Sequence, residues 1–215
     1  MTKSIVTAIL ILAPATLAAA APVVPGSYME GSVGEAFVPN LASRSHTYAL
    51  GPNTAVGPGE VAYENGVNLG VEAGGDFFAG SGFRWGVAYD QTKAKISSFV
   101  ITGTINGFPG SVTLNPDVIE KSEIASGNIY YVLPTVFSRV QPYAGMGAGM
   151  AFVRGAKDTF AFSATIGARA DINSWSYVGA RYRFFGIGPT TDTTTGVRYE
   201  SSTVHVVSGL IGIKF

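Results

Sequence analysis

Apolar and polar residues alternate along most of this chain with a period of two, the spacing that puts successive side chains on opposite faces of a β-strand. Over 65–74, Val67, Leu69, Val71 and Ala73 alternate with Asn68, Gly70 and Glu72. Over 82–96, Phe83, Trp85, Val87 and Tyr89 oppose Arg84, Gly86, Ala88 and Asp90. The same reading predicts strands over 27–38, 121–133, 141–153, 159–171, 175–186 and 201–215, about eight in all. Each is close to the roughly 9–11 residues that cross hydrocarbon at a tilt. In the closing strand, Ile211, Ile213 and Phe215 share one parity and Leu210, Gly212 and Lys214 the other.

The connections alternate too. Those over 40–60, 97–120 and 187–200 are long and rich in Gly, Pro, Thr and Asn; those over 75–81, 134–140 and 172–174 are short. Only 154–158 is short where a long one is due. Short turns on one side and long loops on the other are the habit of membrane barrels. Within the second long connection, 99–105 and 111–114 flank Asn106-Gly107-Phe108-Pro109-Gly110. This predicts either a hairpin rising above the membrane or two further spanning strands, which would make ten. The fold expected is therefore all-β: a closed antiparallel up-and-down transmembrane barrel of eight strands, with ten as the alternative.

Alternation does not say which face is wet, but composition bears on it. Only 13% of the 215 residues are charged, against about 25% in average proteins. The polar parity carries Gly, Ser, Thr and Asn, which suit the crowded interior of an eight-stranded barrel. Aromatics on the apolar parity, such as Phe83, Trp85 and Tyr89, suit girdles at the two membrane interfaces. A net charge of zero leaves no basic footprint, so no nucleic-acid partner is expected. The absence of Cys excludes disulfides and thiolate metal sites.

The first residues look like a targeting segment. Lys3 is a minimal positive region, Ile5 to Leu12 an apolar core, and Ala18-Ala19-Ala20 a small-residue cleavage site. The expected organisation is a signal peptide over 1–20, a short leader over 21–26 and one barrel domain over 27–215. No later stretch reaches the roughly 18 apolar residues of a transmembrane helix.

The runs Asn65-Gly66-Val67-Asn68-Leu69-Gly70, Gln141-Pro142-Tyr143-Ala144-Gly145-Met146-Gly147-Ala148-Gly149 and Val178-Gly179-Ala180-Arg181-Tyr182-Arg183-Phe184, with the final Phe215, carry a resemblance. The chain resembles the eight-stranded outer-membrane barrels of Gram-negative bacteria, and among them the OmpA-like and surface-antigen barrels of alphaproteobacteria. The resemblance covers almost all of 27–215. It implies residence in the outer membrane, contact with its lipid, insertion by the barrel assembly machinery with Phe215 as the assembly signal, and external loops that meet host or environmental surfaces.

Parity also assigns charges to the interior. Glu30, Glu72, Asp90 and Asp171, with Arg84, Arg169, Arg181, Arg183 and Lys214, fall on the polar face of their strands. Such a nearly balanced set would pair across the lumen, since a lone buried charge is costly. It would form either a plugged structural core or the gate of a narrow path for ions or small solutes. Arg181 and Arg183, two apart on one face, need carboxylates between them.

Enzymatic chemistry has little to build on. His46, beside Ser45, fits a solvated loop, and His205 shares the parity of Phe215 near the outer end of its strand. No nucleophile–base–orienter set can be assembled, and two distant His without Cys make a poor metal site. Asp117, Glu120 and Glu123 read as solvated loop carboxylates. The function expected is a structural, adhesive or antigenic surface protein, not an enzyme and without cofactors. A narrow porin-like channel is the alternative, and a lipid-modifying enzyme the third.

Overall fold

The computed structural model describes residues 26–78, 80–134 and 140–215. The signal peptide, nearly all of the leader, Ala79 and the middle of the 134–140 connection lie outside the described residues. Eight long strands form the body: β1 Tyr28–Phe37, β2 Gly66–Asp76, β3 Phe83–Ile105, β4 Val118–Val132, β5 Val140–Val153, β6 Thr159–Asp171, β7 Ser176–Ile187 and β8 Ser202–Lys214. Each pairs antiparallel with its neighbours in sequence, and β1 pairs with β8. The sheet therefore closes into a ring of eight. No helix occurs among the described residues.

Following the register once round the ring from Lys214 leads through Tyr28, Gly74, Gly86, Asn128, Gly147, Ser163 and Phe185 back to β8 at Val204. The return lies ten residues up the strand (214 minus 204). That stagger is the shear a barrel needs, and it goes with strands tilted to the axis by roughly 35–45°.

The ring decides the question of faces. Val33, Leu69, Val71, Trp85, Val87, Ile129, Met146, Phe162, Ile166, Val178 and Ile211 point outward and are exposed, while Asn68, Glu72, Asp90, Asn128, Thr165, Arg181 and Arg183 point inward and are buried. A belt of exposed apolar side chains around a polar interior suits lipid outside. Aromatics edge the belt at the turn side, where Phe83 packs against Tyr131 at 5.0 Å between ring centroids.

At that side the connection between β6 and β7 is tight. Asn173 accepts three hydrogen bonds from Trp175 and Ser176, an Asx turn that reverses β6 into β7. At the opposite side the long connections are folded rather than irregular. The 40–60 connection contains short strands at Leu41–Ala42, His46–Leu50, Asn53–Gly57 and Gly59–Tyr63, which pair with one another and with the upper part of β3. Its Gly and Pro content hid them, because strands pairing above the core need no apolar face.

The 97–120 connection is a hairpin and not two spanning strands. β3 runs on to Ile105, turns at Asn106-Gly107 and returns as Phe108–Leu114. Both turn residues have positive φ, 51° and 86°, the two-residue turn that Asn-Gly favours. The third long connection is stitched to the first, since Glu200 N–H donates to Ala42 and Arg44 N–H to Arg198. Together these segments form an external cap.

Candidate functional site

The inner half of the lumen is filled by an ion network whose charged groups come from four strands. Glu30 on β1 accepts Arg181 Nη1 at 2.5 Å and the Tyr177 hydroxyl at 2.9 Å. Glu72 on β2 accepts the hydroxyls of Tyr28 and Tyr130 at 2.7 and 2.8 Å and Arg183 Nη2 at 2.8 Å. It also lies 3.6 Å from Arg181, so one carboxylate sits between the two guanidiniums. Arg183 completes its set on Asp90 at 2.6 Å and on Thr165 at 3.2 Å. Arg181 Nη2 donates to Ser32 at 2.8 Å. With 1% of its surface accessible, Arg183 ranks among the most deeply buried large side chains.

The other charges assigned to the interior are placed around this centre. Arg84 pairs with Asp76 at 2.9 Å and lies over the Tyr28 ring. Arg169 donates to Gln141 and lies over the Tyr177 ring. Asp171 and Lys214 pair at 2.8 Å, half-exposed at the turn-side rim. The structure thus joins Glu30, Glu72, Asp90, Arg181 and Arg183 directly, attaches Arg84 and Arg169 through tyrosine rings, and leaves Asp171–Lys214 apart. Parity reasoning omitted Tyr28, Tyr130 and Tyr177, which carry the phenols. The signal was present, because each is an aromatic on the polar parity of its strand.

Above the network an apolar layer of Ala36, Ile124, Ala151, Ala161, Phe185, Ile187, Val204 and Val206 fills the outer half. Glycine makes such filling possible. A Cβ on Gly147 would overlap the Asn128 carboxamide oxygen, and one on Gly212 would overlap the Tyr177 ring. Two small cavities lie at the two ends: about 20 Å³ beside Tyr143 and Arg169, and about 50 Å³ under the cap. These volumes hold one or a few waters. Between them, Asn68, Arg183, Phe185 and Val206 are almost completely buried.

The outer pocket joins barrel to cap. Glu120, read from sequence as solvated, lines it and accepts the Tyr63 hydroxyl at 2.7 Å. It lies beyond the apolar belt, and burial holds its carboxyl above the usual range despite that hydrogen bond. Burial, reinforced by the Glu120 charge, pushes the Tyr63 phenol up as well. The other two carboxylates of that group make ion pairs, Asp117 with Lys95 and Glu123 with Lys121.

His46 stacks edge-on against Tyr48, and His205 Nδ1 shares a 2.6 Å hydrogen bond with the Tyr182 hydroxyl on the outward face. Phe215 lies on that face as well, tied by its N–H to Ser27 and by its carbonyl to Gly26.

No protein-family model and no curated protein sequence matches the chain. Solved structures do. Neisserial surface protein A matches at a TM-score of 0.54 and 18% identity, over 88% of this chain and 97% of that one. The outer membrane protease OmpT of Escherichia coli matches at 0.44 and 8%, over 88% and 97%. The outer membrane protein AlkL matches at 0.41 and 16%, over 90% of each chain. At these identities the likeness concerns the fold. Joined to the apolar belt and the closed ring of eight, it identifies the chain as a small outer-membrane β-barrel.

Proposed function

We propose that this barrel is a non-conducting surface protein of the OmpA-like, surface-antigen kind, whose external cap is its working part in adhesion or antigenic display. The observation that carries this reading is the cap itself. β3 continues well past the apolar belt, and three connections are folded against it and each other, more structure than closing a barrel requires. Its exposed tip presents Phe108, 77% accessible, to whatever host or environmental surface the cell meets. Phe215, half-exposed on the outward parity, is the residue the assembly machinery would read.

Two features support a role without catalysis. His46 and His205 both engage aromatic residues rather than a carboxylate orienter, and the inward carboxylates are consumed by guanidiniums and phenols. The test is adhesion of a non-adherent host expressing the wild-type barrel or a variant whose 97–117 segment is replaced by a two-residue turn. At equal outer-membrane yield, wild type should raise adhesion to matrix proteins or epithelial cells and the trimmed barrel should not. Equal adhesion by both removes the cap from the function.

A further inference from the structure

The outward face changes character in a sharp step on β3, β4 and the end of β5. Its lateral rows run Trp85–Ile129–Met146, Val87–Gly127–Ala148 and Tyr89–Ala125–Met150, all apolar or aromatic. The next is Gln91–Glu123–Phe152, and above it Lys93 stands directly opposite Lys121. Arg154 extends this last row, its N–H donating to the Lys121 carbonyl at 3.3 Å. Three cations therefore sit side by side at the outer rim of the lipid belt, on chains about 4.8 Å apart.

Like charges placed directly opposite on neighbouring strands are destabilising. Only Lys121 is relieved within the protein, by Glu123 on its own strand. Lys93 and Arg154 make no ion pair among the described residues. Lys95, two residues further up, is already paired with Asp117. The row keeps an excess of two positive charges at the height where lipid headgroups begin. Anionic headgroups attract each nearby Lys or Arg by about 1 kcal/mol.

We infer that Lys93, Lys121 and Arg154 form a docking site for the phosphorylated headgroup of an outer-leaflet lipid. The phosphate lies across the row, accepts from the two ammoniums and the guanidinium, and removes the repulsion between Lys93 and Lys121. The inference rests on the outward belt and its rim and is independent of what the cap does.

The experiment compares wild type, Lys93→Gln/Lys121→Gln and Lys157→Gln, a cation outside the row, in phosphatidylcholine vesicles with and without lipid A. Bound lipid is counted by native mass spectrometry, and the melting temperature is read by heat-modifiable gel mobility. Wild type should retain lipid A and melt higher with it. The double variant should bind about thirtyfold more weakly, equivalent to ~2 kcal/mol for two charges, while melting no lower than wild type in phosphatidylcholine alone. Equal retention by the double variant overturns the site, as does an equal loss in Lys157→Gln, which would mean diffuse attraction. If inorganic phosphate alone reproduces the melting shift, the site takes a free anion and the lipid assignment fails.

Discussion

Inside the ring, Glu30, Glu72 and Asp90 each meet a guanidinium, and two of them meet phenols as well. In the cap, the contacts are short ladders, turn hydrogen bonds and scattered side-chain links such as Tyr63–Glu120, Asn40–Glu60 and Ser43–Tyr48. The ring closes on itself and leaves no edge among its eight spanning strands, so each of its charges is fixed from several directions. The cap leans on one stretch of β3 and can change without reopening the ring. Stability belongs to the first region, and the proposed function assigns recognition to the second.

The widest way to break this comparison is to damage each region in turn. Arg183→Ala leaves Asp90 and Glu72 without their nearest guanidinium and should cost about 3–5 kcal/mol. Urea unfolding followed by gel mobility reads it as a large drop in midpoint. Excising the 97–117 hairpin should leave that midpoint nearly unchanged. Equal losses would show that cap and ring are one cooperative unit.

A second test sets the lipid face against the lumen. Ile166 is outward and 60% exposed on the sixth strand; Ile166→Arg should cost about 2–4 kcal/mol near mid-bilayer. An Arg tolerated there would place the belt elsewhere. The third concerns packing inside the ring. Gly147→Val forces a side chain into Asn128 and should cost about 1–3 kcal/mol, whereas Gly127→Val meets open space on the outer face and should be nearly neutral. Matching effects would mean the lumen is less filled than its geometry indicates.

These contrasts also explain what could be read in the sequence. The ring was legible because lipid outside and a crowded interior impose a strict period of two, so Arg181, Arg183, Glu30 and Glu72 fall on one face by parity alone. Phe162 and Ile166 fall on the other for the same reason. The pairings were less legible: Arg84 takes Asp76, and Arg169 takes the neutral Gln141, choices set by stagger between strands rather than by parity. The cap strands were missed because they bury little. Only Asn106-Gly107, a turn with its own backbone chemistry, announced one of them. The Lys93–Lys121–Arg154 row needs the register of three strands, which no single strand reveals.

The smallest effect expected sharpens the comparison from the cap side. Tyr63→Phe removes the donor to Glu120 and should loosen the cap by about 1–2 kcal/mol without moving the barrel's midpoint. Burial raises the folded Glu120 above its ordinary value of 4.5. Its favourable contribution is therefore complete below 4.5 and lost as pH rises through the raised value. Protease nicking within 40–60 should accelerate from acid toward neutral pH, and more so in the variant. A flat pH profile would detach Glu120 from cap stability.

The central claim is that charge and glycine-enabled packing fill the lumen, and planar-bilayer recording of the purified wild-type barrel tests it most directly. The network around Arg183 and the apolar layer around Phe185 bury the mid-lumen side chains almost completely, so the account predicts no steady ohmic conductance. A stable open level in wild type, abolished by rebuilding bulk at the pocket ends rather than by misfolding, would contradict it and make the barrel a channel.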